Sequence, residues 1–151
     1  MEEIKIGVYV CHCGVNIAAT VDAAEVSKYA GTLPGVVLSR DYVFMCSDPG
    51  QDLIRKDIKA YDLNRVIVAS CSPRLHELTF RRVCESAGLN RYLFEMVNIR
   101  EQCSWTSEDK EANTEKAKAL VDAAVRRVHY QEALEVKEAP YNPNTLIVGG
   151  G

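Results

Sequence analysis

The sequence lacks any apolar run approaching the roughly 20 residues that a transmembrane helix requires. It also lacks the basic start and long apolar stretch of a signal peptide, because Glu2 and Glu3 precede a short apolar segment. We therefore expect a cytoplasmic protein that does not associate with a membrane.

Positive charge is not in excess, since 18 Lys and Arg stand against 21 Asp and Glu and give a formal net charge of -3. Aromatic residues make up 7% of the chain and form no ladder on which bases could stack. We expect no nucleic-acid partner. With 151 residues, 47% of them hydrophobic, the chain is long enough for a domain with its own core.

Cysteine is the residue type that stands out. In a cytoplasmic chain of this size, cysteines indicate metal or redox chemistry more often than disulfides. The alternative is that they are buried thiols acting as small hydrophobic residues. The six are Cys11, Cys13, Cys46, Cys71, Cys84 and Cys103.

Apolar runs alternate with helical patterns along the chain. Strands are predicted at 4–10, within 36–45, at 65–69 and at 92–99, and helices at about 23–30, 49–61, 73–87 and 114–130. Asp22 and Asp48 are the predicted N-caps of the first two helices. This order predicts an α/β fold, a four-stranded, mainly parallel sheet with helices on both faces, in a Rossmann- or flavodoxin-like three-layer arrangement.

The chain divides into three predicted parts. Residues 1–133 form the α/β domain, and residues 134–145, which include Pro140 and Pro143, form a linker. Residues 146–151 begin a second domain, because a short apolar strand at 146–148 runs into glycines, as a dinucleotide-binding turn does. The candidate cofactor-binding residues are Gly149, Gly150 and Gly151.

Five of the six cysteines follow predicted strands. In a parallel sheet, ligands bind at the carboxyl ends of the strands, so we expect these thiols to share one metal site. Cys84 lies inside the third helix and is predicted to be a packing residue. Cys11 and Cys13 either compete for one ligand position or both bind in an unusual arrangement. The candidate ligands are Cys11, Cys13, Cys46, Cys71 and Cys103.

The local sequence around Cys46 and Cys71 favours thiolates. Each precedes a helix start that contains Ser and Pro, and the positive end of a helix lowers the pKa of a nearby thiol. A helix N-terminus would also suit a reactive thiol. His12 and His76 lie near the expected site and are expected to be solvated or bonded to backbone carbonyl groups.

Two kinds of metal group suit a cysteine-rich site, namely zinc and iron–sulfur clusters. The single residue between Cys11 and Cys13 is too short a gap for the usual zinc knuckle. Ligands spread over four strand ends favour a larger group, a [4Fe-4S] cluster. Nearby arginines are expected to be solvated charges, of which one or two offset the negative charge of a cluster; they are Arg74, Arg81, Arg82 and Arg100.

Several long strings resemble one family, the N-terminal domain of the A-type subunits of heterodisulfide reductase. They are VCHCG at 10–14, CSDPGQ at 46–51, CSPRLHELTFRR at 71–82, NIREQCSW at 98–105 and LIVGGG at 146–151. The resemblance implies an oxidoreductase of methanogenesis or related anaerobic energy metabolism, an iron–sulfur flavoprotein of flavin-based electron bifurcation whose parent chain carries FAD and [4Fe-4S] clusters. The implied partners are other heterodisulfide reductase subunits, hydrogenase or formate dehydrogenase subunits, and ferredoxin.

Two functions stay open for the chain itself. The first is an electron-transfer domain that binds one [4Fe-4S] cluster, with no catalytic residue of its own. The second is a non-redox docking module for partner subunits, in which the cysteines are structural or bind zinc.

Overall fold

The computed structural model describes residues 3–150, in which four strands and four α-helices alternate. A 3-10 helix, Ser104–Thr106, precedes the last α-helix. All strand pairs are parallel, in the order β2-β1-β3-β4, which confirms the predicted α/β three-layer fold. The elements are β1 (Ile6–Cys11), α1 (Ala23–Ala30), β2 (Val36–Tyr42), α2 (Asp48–Ala60), β3 (Arg65–Ser70), α3 (Pro73–Ser86), β4 (Phe94–Asn98) and α4 (Lys110–Val128).

The sheet separates two hydrophobic cores, because successive side chains along a strand point to opposite faces. One core, the α1/α4 core, includes Ile6, Val8, Val10, Val26, Val121 and Val125. The other, the α2/α3 core, includes Tyr9, Cys11, Ile54, Ile58, Phe80 and Val83. Of the six cysteines, Cys103 lies in the α1/α4 core, four pack in or against the α2/α3 core, and Cys13 packs against both.

Helix starts follow the capping rules, with two differences from the sequence prediction. α1 has the predicted bounds, and Asp22 accepts a hydrogen bond from Glu25 N at 3.0 Å. α2 is capped by Ser47 and not by Asp48, which is the first helical residue, because the Ser47 hydroxyl accepts from Gly50 N. α4 begins at Lys110, four residues early, since Asp109 caps a polar first turn that the apolar periodicity does not mark.

The end of the described chain carries no regular structure. Residues 131–150 form no helix or strand, so the expected strand at 146–148 is absent, and those three side chains are largely exposed. A strand needs a neighbouring strand for its hydrogen bonds. Gly149 and Gly150 have open space around them, and Gly151 lies outside the described residues. None of the described helices is long and apolar enough to cross a membrane.

The amino edge of the sheet is closed by ordinary hydrogen bonds. Asn64 accepts from Lys5 N at 2.8 Å and donates to Glu3 O at 2.7 Å. Arg65 donates to three carbonyl oxygens, those of Asn64, Val128 and Gln131. This arginine thereby ties the start of β3 to the end of α4, where a cation is favourable.

Candidate functional site

The carboxyl edge of the sheet begins with Cys11, the last residue of β1. Its side chain is 4% exposed and packs in the α2/α3 core. Its sulfur accepts hydrogen bonds from Cys13 N at 3.3 Å and from Met45 N at 3.4 Å. Burial raises the pKa of the Cys11 thiol, and the two N–H groups oppose that rise. The loops after β1 and β2 therefore supply two donors to one sulfur.

Cys13 has an unusual backbone conformation that brings it back toward Cys11. Its φ is +50° and that of Gly14 is +62°, so two successive residues are left-handed. A cysteine rarely adopts this conformation, and such outliers cluster at functional sites. Because β1 ends at Cys11, the backbone reversal and not the alternation of a strand determines where Cys13 lies.

Cys46 lies in the tight connection between β2 and α2. Its carbonyl accepts from the Gln51 side-chain amide at 2.8 Å. A Cβ at Gly50 would lie 2.5 Å from Met45 O, so only glycine lets the helix start pack against this loop. Cys46 packs against the α2/α3 core and lies close enough to Cys11 for its charge to affect the Cys11 thiol.

Cys71 follows β3 and is 6% exposed. It lies close enough to Cys11, Cys13 and Arg100 for their charges to influence its pKa. Burial raises the pKa of this thiol to about 11, against the lowering effect of Arg100. The pKa of Cys71 is therefore raised and not lowered as the helix start predicts, because desolvation outweighs the neighbouring positive charge.

Cys103 lies on the other face of the sheet. It is fully buried in the α1/α4 core, and its sulfur donates to Asn113 O at 3.1 Å. Its pKa is raised mainly by burial, and the charge near it belongs to Lys116. The sequence expectation groups all five strand-end cysteines, whereas the structure brings Cys11, Cys13, Cys46 and Cys71 together without Cys103.

Cys84 is fully buried in α3, within the α2/α3 core, which confirms that it is a packing residue. Burial raises the pKa of this thiol to about 12. No charged or metal-binding role follows from such surroundings.

Arg100 is the functional residue that sequence reasoning underrates. The sequence predicts four solvated arginines, of which one or two offset the charge of a cluster, and does not single out Arg100, whose side chain is only 14% exposed. Nη1 donates to the Cys13 sulfur at 3.2 Å, and Nε and Nη2 donate to Glu101 at 3.2 and 2.8 Å. Trp105 covers the guanidinium, with its ring centroid 4.9 Å from Cζ. The feature of the sequence that points to Arg100 is its place directly after a predicted strand, at the edge where the cysteines are expected.

The two histidines have other contacts. His12 Nε2 lies 2.7 Å from Asp41 Oδ2, and the His76 ring meets Phe80 edge-on. The carboxylate of Asp41, and not a backbone carbonyl, is thus the partner of His12. Across residues 3–150, no three His, Cys, Asp or Glu side chains converge on a point where they could hold a single metal ion.

The donor set fits an iron–sulfur cluster in its chemistry. Thiolates are the usual ligands of such clusters, and four cysteines are available. Two backbone N–H groups and one guanidinium already point at the sulfurs of Cys11 and Cys13. Donors to sulfur stabilise the negative charge that thiolates bring.

Comparison with known proteins gives consistent results, although no protein-family model matches the chain. The chain is 59% identical to an iron-sulfur A-type subunit of the CoB-CoM heterodisulfide reductase of Methanopyrus kandleri, over 99% of this chain and 23% of that protein. It is 57% identical to a protein of Archaeoglobus profundus that is named for its likeness to the same subunit type of heterodisulfide reductase, over 99% of this chain and 22% of that protein.

A third relative is the A-type subunit of the H(2):CoB-CoM heterodisulfide,ferredoxin reductase of Methanothermobacter thermautotrophicus, which is 57% identical over 100% of this chain and 23% of its own length. The chain spans less than a quarter of the length of these relatives. These matches cover 99–100% of this chain at 57–59% identity. The chain therefore belongs to the family of the A-type subunits of heterodisulfide reductase.

Proposed function

We propose that this chain is an electron-transfer domain of a heterodisulfide reductase A-type protein, and that it binds one [4Fe-4S] cluster. The proposed ligands are Cys11, Cys13, Cys46 and Cys71. Cys103 is left out of this set, because its thiol lies in the α1/α4 core and donates to Asn113 O.

One observation carries the proposal. Three successive strand ends supply four thiols that approach one another at one edge of the sheet, and each of these loops is held by its own hydrogen bonds. Structural thiols have no need to gather in this way. The names of three relatives describe them as iron-sulfur subunits, which agrees with the same assignment.

The residues around the sulfurs have defined tasks. Cys13 N and Met45 N donate to the Cys11 sulfur, and Arg100 donates to the Cys13 sulfur. These donors stabilise thiolates, so they favour the loss of protons that ligand binding requires. A [4Fe-4S] cluster supplies one-electron chemistry when it is bound. The residues of this chain position the sulfur ligands and offset their negative charge.

Zinc is the weaker assignment for this set. A structural zinc needs four ligands at about 2.3 Å from one ion, so the sulfurs must converge on a single point. Within the described part of the chain, no such convergence occurs. The ligands of a cluster stand at its corners, and the body of the cluster keeps them apart, so a cluster does not require convergence on a single point.

Anaerobic reconstitution tests the proposal. The chain is incubated with iron, sulfide and a thiol reductant, desalted, and analysed for iron and acid-labile sulfide, visible absorbance and paramagnetic resonance after dithionite. We expect a brown protein with about four iron and four sulfide per chain. A colourless protein that binds one zinc per chain with the same cysteines would contradict the proposal.

The longer protein provides the context for this electron transfer. We propose that residues 146–151, with Gly149, Gly150 and Gly151, begin its FAD-binding domain. We propose ferredoxin, other heterodisulfide reductase subunits, and hydrogenase or formate dehydrogenase subunits as partners. Equilibrium dialysis should show no saturable FAD binding to this chain, since residues 146–151 hold only the first glycines of a dinucleotide motif.

A second candidate function is docking of a partner protein without redox chemistry. Exposed apolar side chains surround the cysteine edge, which favours this possibility. They are Val15 (76% exposed), Phe44 (50%), Leu75 (58%) and Trp105 (59%). If Cys71→Ser abolishes iron binding yet leaves electron transfer by the complex unchanged, docking is the function and the cluster proposal fails.

A further inference from the structure

The contacts of Arg100 go beyond what binding four thiols requires. The residue lies two positions after β4, at the same sheet edge as the cysteines. Its backbone N–H donates to Asn98 Oδ1 at 3.2 Å, and that oxygen also accepts from Glu101 N at 3.0 Å. The backbone at Arg100 and Glu101 is thus fixed by one asparagine at the end of β4.

The guanidinium is held in a single orientation. Glu101 accepts from Nε and Nη2, which leaves Nη1 directed at the Cys13 sulfur. Trp105 covers its face and shields it from water. Since the side chain is 14% exposed, its charge is weakly screened by solvent. The Arg100–Glu101 pair therefore forms a dipole whose positive end faces the cysteines.

We propose that the Arg100–Glu101 pair sets the reduction potential of the cysteine-held cluster, with Arg100 raising it and Glu101 lowering it. The inference rests on the proposed function. Arg100 is a positioning residue, because it acts through the Cys13 sulfur. Both side chains act on the same thiols, since Arg100 and Glu101 lie close enough to Cys71 to influence it with opposite signs.

The sign follows from charge. A site that accepts one electron becomes more negative by one unit, so a nearby cation stabilises the reduced form more than the oxidised form. Hydrogen bonds to cluster sulfurs and nearby charge are recognised determinants of potential in such proteins. Removing the cation must therefore lower the potential, and removing the neighbouring carboxylate charge must raise it.

The experiment compares three variants with the parent chain after anaerobic reconstitution. Arg100→Gln removes the charge, Glu101→Gln keeps a side chain that accepts from Arg100, and Arg91→Gln is the control. Arg91 contacts Glu85 and the Tyr92 ring before β4 begins, away from the carboxyl edge. Circular dichroism, iron per chain and a mediated redox titration with dithionite are measured for each.

We expect Arg100→Gln to lower the equilibrium constant for one-electron reduction about tenfold, which corresponds to ~59 mV. Glu101→Gln should shift it upward, and Arg91→Gln should leave it unchanged. An Arg100→Gln protein that holds full iron at the parent potential would overturn the inference. If Arg100→Gln folds but loses iron, the reduction potential of Glu101→Gln becomes the test. A potential above that of the parent chain supports the inference, and a potential equal to that of the parent chain overturns it.

The outcomes also separate this inference from the function on which it depends. A parent chain that takes up no iron and sulfide overturns both. A parent chain that forms the cluster, with variants whose potentials stay unchanged, overturns only the role of the Arg100–Glu101 pair.

Discussion

Two arginines, one at each end of the sheet, show how differently the same side chain can be used. At the amino edge, the three donors of Arg65 that form hydrogen bonds all meet backbone carbonyl oxygens. At the carboxyl edge, Arg100 meets a carboxylate and a thiol. The first arrangement closes the fold, whereas the second leaves a charge directed at groups that can bind metal.

The comparison extends to the cysteines of the carboxyl edge. Cys71 is surrounded by other thiols and by Arg100, whereas Cys103 is surrounded by the apolar side chains of the α1/α4 core. Both follow strands and both are buried. The neighbours of each thiol, and not its place in the chain, distinguish a candidate ligand from a core residue.

The largest expected effect comes from replacing Cys71 or Cys103 by serine, one at a time. Cys71→Ser should abolish assembly of a complete cluster, because a serine hydroxyl does not replace a thiolate ligand. Cys103→Ser should keep iron near the parent level, since its thiol lies on the opposite face. Iron per chain after reconstitution is the measurement. Equal loss of iron in both variants would show that the separation of the two faces has no functional meaning.

Arg65→Gln should remove hydrogen bonds at the amino edge of the sheet and leave the cysteines at the carboxyl edge unchanged. We expect a loss of about 2–3 kcal/mol in the free energy of unfolding, since carbonyl groups lose charged donors. Denaturant unfolding measures this loss. Arg126→Gln is a matched control, because Arg126 is largely exposed and its bond to Asp122 is screened by solvent, so little stability should be lost. The redox potential of Arg65→Gln should equal that of the parent, and a shifted potential would contradict the division between the edges.

Gly50→Ala tests how tightly the Cys46 loop is held. The new Cβ would press on Met45 O, so we expect a loss of about 1–3 kcal/mol in stability together with weaker iron retention. Gly31→Ala is the control, because a Cβ there meets ordinary contacts beginning at 3.5 Å. Unfolding curves and iron content of the two proteins give the answer. Similar behaviour of both would mean that the loop adjusts freely.

The smallest effect concerns the Cys84 thiol, whose burial in the fold raises its pKa to about 12. An unfolded thiol has a pKa of about 8.5, so the unfolded chain loses this proton first as the pH rises. The contribution of Cys84 to the free energy of unfolding is therefore complete below the pKa of the unfolded chain. It is lost as the pH rises toward the pKa of the folded chain. Between pH 7.5 and 9.5, Cys84→Ala should lose about 1 kcal/mol less stability than the parent. Equal slopes of unfolding free energy against pH would refute this.

Much of the fold is predictable from sequence because it depends on local signals. The apolar run at β3 and the Asp22 cap of α1 each determine an element within a few residues. The start of α4 is less predictable, since Asp109 caps a turn that has no apolar pattern. β4 is shorter than expected, because the Asn90 side chain holds Tyr92 N in a turn before it.

The site is predictable only in outline. Parallel strands bring their carboxyl ends together, which predicts the shared edge of Cys11, Cys46 and Cys71. The face of Cys103 depends on the path of a loop, and the reversal at Cys13 depends on a positive φ that few cysteines adopt. Neither leaves a pattern in the sequence. Charged residues are usually solvated, so burial of Arg100 can be recognised only in three dimensions.

The long sequence separation between Arg100 and Cys13 has a consequence for biosynthesis. The two residues are 87 positions apart, and the Ser104 hydroxyl reaches Asn16 O across 88 positions. Domains fold as units while the ribosome adds residues from the N-terminus onward, and distant contacts form last. Cys11 and Cys13 are therefore translated well before Arg100, which donates to the Cys13 sulfur. For the proposed cluster, iron and sulfide would then be delivered after chain elongation, to an almost complete domain instead of a nascent loop.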